Sequence, residues 1–526
     1  MEGMETDMGG TGAGAPLIEI GPGALTFEQV TAVARGGALV GITRESLAAM
    51  AASRASIDEL AARPTPVYGV STGFGALATR HIDPALRAKL QVSLVRSHAA
   101  GSGPEVEREV VRALMLLRLS TLATGRTGVR PGTALTLASM LNAGITPVVH
   151  EYGSLGCSGD LAPLAHCALA LMGEGTVRDG AGDLVTAASA LEAAGIEPVT
   201  LIAKEGLALI NGTDGMLGML VLALDDLRGL LKLVDIATAM SVEALLGTDR
   251  VFAADLQELR PHPGQAVSAA NLRALLTDSK IMESHRGPDC TRVQDAYSLR
   301  CSPQVSGAAR DTVGYASLVA SRELASAVDN PVVLPDGRVE SNGNFHGAPV
   351  AYVLDFLAIP VADVASMSER RTDRMLDKAR SNGLPPFLAD DPGVDSGHMI
   401  AQYTQAAIVA ELKRLAVPAS ADSIPSSAMQ EDHVSLGWNG ARKLRRAVDG
   451  LARVVAIEIL TAARALDLRG PLRPSPATSA VVRALRTRVP PPGPDRHLAP
   501  EIEAAFRMVQ DGSLLDAAES VTGPLS

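Results

Sequence analysis

Residues 153–166 read Gly-Ser-Leu-Gly-Cys-Ser-Gly-Asp-Leu-Ala-Pro-Leu-Ala-His, which sets a serine between glycines directly before an apolar helical pattern. Gly156 and Gly159 carry no β-carbon, so the chain can fold tightly around Cys157 and Ser158. Asp160 has the chemistry of an N-cap. Pro163 suits the first helical turn, where a missing N–H costs nothing. A turn this compressed can bring the Gly159 amide nitrogen against the Cys157 carbonyl carbon. Attack there with loss of one water, and loss of a second from Ser158, gives a five-membered ring bearing an alkene. Such a ring is an electrophile, and a helix N-terminus behind it favours the negative charge it takes up from a nucleophile. A plainer reading is a glycine-rich turn capping a core helix. A serine-hydrolase elbow would need Gly-x-Ser-x-Gly, and Asp160 stands where its last glycine belongs.

Other stretches pair reactive side chains with unusual backbone. Residues 67–75, Val-Tyr-Gly-Val-Ser-Thr-Gly-Phe-Gly, form a glycine-rich loop carrying Tyr68 and Phe74. Residues 94–101 end a helix at glycine with His98 in the last turn, a position that also suits a simple C-cap. Asn211 lies in an apolar run and is followed by Gly212, as at a helix kink. Gln294, Tyr297 and Arg300 recur at steps of three, which predicts one face of a helix. Those three groups suit an amino acid: Arg300 can clasp its carboxylate bidentately and Tyr297 can exchange a proton. Residues 341–349, Ser-Asn-Gly-Asn-Phe-His-Gly-Ala-Pro, bracket Phe345 and His346 with glycines. Glu431 and Asp432, in Met-Gln-Glu-Asp-His-Val-Ser, would in isolation be helix-capping carboxylates.

In this order, from Tyr68 to Ser435, these motifs resemble those of the histidine/phenylalanine/tyrosine ammonia-lyase family. The resemblance implies a 4-methylidene-imidazol-5-one (MIO) group, which that family makes from its own Ala-Ser-Gly. Here the source would be Cys157-Ser158-Gly159; the ring uses only the backbone of the first residue, so cysteine is compatible. It also implies roles: Tyr68 as acid or base on a closing loop, Asn211 and Phe345 beside the prosthetic group, and Gln294, Tyr297 and Arg300 around the substrate. His346 is a structural partner on this reading. Ser97-His98, and Glu431 where other members carry Asn-Gln-Asp, point to histidine within the family, with Met429 replacing a usual asparagine. The expected reaction is non-oxidative elimination of ammonia from L-histidine to trans-urocanate, the first step of histidine degradation. His98 and Glu431 would address the imidazole, and either Tyr68 or Glu431 the β-proton. Rival readings are a tyrosine or phenylalanine lyase, an aminomutase with the same group, a fumarase/aspartase-like lyase, whose signature loop is not visible, and an inactive helical scaffold.

The elements that must position these groups are mostly helices. The 526 residues are 47% hydrophobic but only 3% aromatic, so the core is built of Ala, Leu and Val. The fold class expected is mainly α: a mixed N-terminal domain with the Tyr68 and Ser158 loops over 16–205, a central helical bundle over 206–465, and a connector and helix over 466–526. Residues 1–15 read as a disordered tail. Helices are expected over 26–62 (two, capped near Thr26 and Thr43), 83–97, 105–142 (two), 161–172, 216–247, 351–380, 438–466 and 499–515, with a hairpin turning at 335–337. Residues 177–200 read as a loose excursion. The resemblance adds a homotetramer with shared active sites. A net charge of −11 disfavours nucleic acid, and the four cysteines show no zinc spacing and read as reduced thiols. The acidic N-terminus lacks a leader's apolar segment, and Asp225-Asp226 interrupt the most apolar run. The expectation is a cytoplasmic protein with no membrane partner, no metal and no external cofactor.

Overall fold

The computed structural model describes residues 16–63, 67–73, 77, 80–287, 290 and 293–526, so the tail 1–15 and Phe74 lie outside the described residues. Helices dominate, and the chain divides into two compact units. One comprises the chain up to Gly218 with Ser321–Gly347 and Ile424–Val434; the other holds Met219–Ala320, Ala348–Ser423 and Ser435–Ser526. This differs from three consecutive domains, because two later segments return to the first unit.

In the first unit, Leu17–Ile20 pairs in parallel with Leu39–Ile42, and helix Phe27–Ala34 connects them. Thr26 opens that helix with a full capping box, and Thr43 caps Arg44–Ala62. Helix Arg108–Ala123 is buried along nearly its whole length. The strand His150–Tyr152 lies antiparallel to Ser102–Glu105. That pairing sets the end of helix Arg87–His98 beside the start of the 153–160 loop. Ile57, Val70 and Val333 form a small core with Val67 and Val339 against it. Burying each such side chain is worth roughly 1.5–3 kcal/mol, which seats the Tyr68 loop. The hairpin is present as Val332–Val333 and Val339–Glu340, with Gly337 at φ +81° in its turn.

The second unit is built of long helices: most of Asp214–Ala244 and of Ser302–Leu324, then Ala348–Leu376, Met399–Leu415 and Gly437–Asp467. Arg371 and Glu458 form an ion pair at 2.5 Å with both side chains wholly buried, and Ser241 Oγ donates to Glu458 Oε1. Arg371 Nη1 also donates to the Ser298 carbonyl at 3.2 Å, tying the short helix Tyr297–Arg300 to the bundle.

Three local expectations change. Residues 177–200 contain a hairpin, Thr176–Arg178 with Leu184–Thr186, and helix Ala187–Ala193. The 466–498 connector contains helix Pro476–Leu485, opened by a Ser475 cap and a proline in its first turn, and a further helix, Ser513–Thr522, follows Ala499–Gln510. Among the described residues, two helical stretches reach the length and apolarity of a membrane span, 205–244 and Ala348–Leu376; the apolar window of the first is 100% buried inside the protein and that of the second 61%.

Candidate active site

The 153–160 loop is held by its backbone. Gly156 and Gly159 have φ of +67° and +81°, a region favouring glycine. A β-carbon added at Gly159 would stand 2.1 Å from the Gly212 carbonyl oxygen, so no side chain fits there. Next to it the Asp160 N–H donates to that same oxygen at 2.7 Å. Ser154 Oγ accepts from Gly156 N at 3.2 Å and donates to Asp160 Oδ1 at 2.8 Å, closing the loop on itself.

Asp160 is not the side-chain cap of its own helix, Leu161–Leu171. Its Oδ2 accepts from Gly215 and Met216 N–H, both at 2.9 Å, and so caps the next long helix instead. Two helices thereby meet at one wholly buried carboxylate. Burial pushes the Asp160 carboxyl up to about 7, against the pull of Met216, Ser154 and Gly215.

Glu431 reaches the loop from the segment Ile424–Val434 of the same unit. Its Oε1 accepts from Ser158 Oγ at 3.1 Å and its Oε2 from Cys157 Sγ at 2.9 Å. The turn presenting it is strained: Ser427, Ala428 and Met429 have φ of 50°, 52° and 70°. Non-glycine residues in that region cost about 1–2 kcal/mol each, and such strain concentrates where a side chain must be aimed. The reciprocal Ser426–Glu431 backbone hydrogen bonds hold the turn.

His98 ends helix Arg87–His98, and its Nδ1–H donates to the Leu94 carbonyl at 2.9 Å, leaving Nε2 as the acceptor. Burial lowers its pKa, while the Leu94 carbonyl and the Glu431 charge oppose that shift. The imidazole is therefore neutral at pH 7. Asn211 falls between helices Glu205–Ile210 and Asp214–Ala244. Its Nδ2 donates to the Asn330 carbonyl, and Arg118 Nη1 donates to its own carbonyl at 2.8 Å. Its buried Oδ1 accepts no hydrogen bond among the described residues. Tyr68 lies half-buried on a loop whose Gly69 packs against Leu207 and Pro331. Phe345 is half-buried, and two residues later Gly347 N donates to the Gly156 carbonyl at 3.1 Å. His346 stacks on His433, ring centroids 5.5 Å apart.

Tyr68, His98, Cys157, Ser158, Gly159, Asn211, Phe345 and Glu431 thus belong to one unit, and Gln294, Tyr297 and Arg300 to the other. The single helical face expected for these three is not formed. Helix Tyr297–Arg300 is four residues long, and Gln294 precedes it in non-helical backbone. Tyr297 is 69% exposed, and the Arg300 guanidinium lies over its ring at 4.7 Å. Arg300 Nε is buried with no acceptor among the described residues. Supporting residues the sequence reading missed are Ser154, Ser426 and Arg118. Only Arg118 had a signal: like Arg112, it is a charge set within the apolar run of helix Arg108–Ala123.

The sequence pattern of aromatic amino acid lyases matches residues 25–487. The chain belongs to the aromatic amino acid lyase family. Within it, the chain is 68% identical over 509 residues to the histidine ammonia-lyase of Streptomyces coelicolor, covering 97% of this chain and 99% of that protein. Its fold matches a tyrosine aminomutase from Streptomyces globisporus at a TM-score of 0.91, with 39% identity over 97% of this chain and 100% of that one. It also matches a histidine ammonia-lyase from Trypanosoma cruzi at 0.88, with 38% identity over 96% and 95% of the two chains.

Proposed function

We propose that this lyase eliminates ammonia from L-histidine to give trans-urocanate, the first step of histidine degradation, with an MIO group matured from Cys157-Ser158-Gly159. The observation that carries this reading is the Glu431 carboxylate spanning Cys157 and Ser158, on a loop whose residue 159 must be bare. The residues fit the group: Gly159 has no side chain beside the amide that must close the ring, its β-carbon space is filled by the Gly212 carbonyl, and Cys157 contributes only backbone to a ring. When formed, the MIO supplies an electrophile that turns the substrate amine into a leaving group.

The chain's own groups do the rest. Arg300 binds the carboxylate, with Gln294 beside it, and Tyr297 exchanges a proton. Neutral His98 presents Nε2 to the imidazole N–H, and Glu431 holds the other side of the ring. Phe345 walls the pocket. Tyr68 and Glu431 are the two candidate bases for the β-proton, which the substrate loses along with its amine to give the product. The choice of histidine rests on His98 and Glu431, and the relatives named histidine ammonia-lyase support it.

We also propose a cytoplasmic homotetramer whose sites are shared between subunits. Tyr352, Phe356 and Ile359 form an exposed stripe along helix Ala348–Leu376, and Tyr297 is exposed too. The net charge of −11 and four free cysteines suit a reducing compartment without nucleic acid as a partner. The experiment is an ultraviolet product assay with L-histidine, L-tyrosine and L-phenylalanine offered separately. Urocanate from histidine alone is expected. Coumarate or cinnamate would keep the chemistry and overturn the substrate, and no product from any of them would overturn the function.

A further inference from the structure

Ring formation uses the backbone of Cys157 and leaves its thiol over. In the uncyclised chain Glu431 is gripped twice from the loop, by Ser158 Oγ on Oε1 and by Cys157 Sγ on Oε2. The two grips have different fates. Closing the ring expels the Ser158 hydroxyl as water, whereas the Cys157 side chain is untouched. Of the donors described on Oε2, the other is Ser426 Oγ at a longer 3.3 Å, from the turn that carries Glu431 itself. Cys157 is only 6% exposed, and burial together with the Glu431 carboxylate pushes its thiol up to about 12. It therefore stays an S–H donor through the neutral range and is a poor nucleophile.

We infer that the Cys157 thiol is a positioning residue for Glu431, holding Oε2 after Ser158 has given up its hydroxyl and leaving Oε1 for the substrate. The inference rests on the reading above, that the ring forms and that Glu431 meets the substrate. An alanine at this position would complete the ring equally well but could donate nothing to Glu431. A thiol is a weak donor, suited to fixing a carboxylate in place without engaging it strongly.

The test uses the full-length protein and the variants Cys157→Ala, Cys157→Ser and Glu431→Gln. The infrared S–H stretch of Cys157, isolated by subtracting the Cys157→Ala spectrum, is expected to move in Glu431→Gln. Intact mass of Cys157→Ala should stay two waters below the translated chain, showing an unimpaired ring. Its kcat for L-histidine should fall roughly 3- to 10-fold with a smaller change in KM, as expected for one lost hydrogen bond from a weak thiol donor, at the lower end of hydrogen-bond contributions. Cys157→Ser should recover most of that loss. An S–H band indifferent to Glu431→Gln, or a Cys157→Ala kcat equal to the wild type, would overturn the inference. A wild-type mass without the loss of two waters would overturn the ring, and with it this role, even if the S–H band still reported the contact.

Discussion

The 153–160 loop and the 294–300 segment both carry groups suited to an amino acid, yet their surroundings are opposite. The loop is closed by its own unit. Ser154, Asp160 and Gly212 bond it from within, and Glu431 accepts from the side chains of both Cys157 and Ser158. The segment is anchored through the Ser298 carbonyl but offers an exposed Tyr297 and a buried Arg300 Nε without an acceptor among the described residues. A peptide bond that must attack its neighbour needs a rigid backbone already in place, and the folded unit provides it. A group that must grip an arriving carboxylate is useful only while it has hydrogen bonds left to make.

Breaking the first region should cost most. Ser158→Ala removes the hydroxyl that ring formation eliminates. Turnover of L-histidine should drop by at least about 1,000-fold, while the melting temperature stays near the wild type because the side chain is only half-buried. Near-native turnover would sink the mechanism. Breaking the second region should cost less. Arg300→Ala removes a charge-assisted contact worth about 1.5–3 kcal/mol, so kcat/KM should fall roughly 10- to 150-fold. Steady-state kinetics on a variant with intact mass still two waters short would separate this loss from failed maturation. Indifference to Arg300→Ala would remove the segment from the site.

The smallest effect sharpens the contrast through pH. The folded-state pKa of Asp160 is raised to about 7 from an ordinary 3.8. The folded protein therefore binds the extra proton between those values, so this contribution to stability is full below pH 3.8 and fades as pH rises through 7. Asp160→Asn cannot titrate. Its melting temperature relative to the wild type should rise by a few degrees between pH 5 and 8, on the order expected for one buried carboxyl. Calorimetry showing a flat difference would mean that the three donors around Asp160 keep it charged throughout.

Much of the first region was legible in the sequence. Glycine has few reasons to flank a Cys-Ser pair, and Gly159 is bare because a carbonyl oxygen occupies the space its β-carbon would need. Capping at Thr26 and Thr43 was equally plain, since a hydroxyl three residues before its partner amide is a local signal. Asp160 misled for a related reason. It stands where an N-cap belongs, and its true partners, Gly215 and Met216, lie 55 and 56 residues away. The turn through Ser427, Ala428 and Met429 was invisible, because none of these residues favours a positive φ and nothing in their types announces the strain. The short helix at Tyr297 shows the limit of spacing: steps of three match a helical face, but the helix begins too late to include Gln294.

Everything proposed for this site depends on Cys157-Ser158-Gly159 closing on itself in the folded chain. The most direct measurement is high-resolution mass spectrometry of the proteolytic peptide containing residues 153–166, from purified protein that has never met substrate. A peptide two waters lighter than its sequence is expected, and a Ser158→Ala peptide that does not lose them. A wild-type peptide at full sequence mass would contradict it.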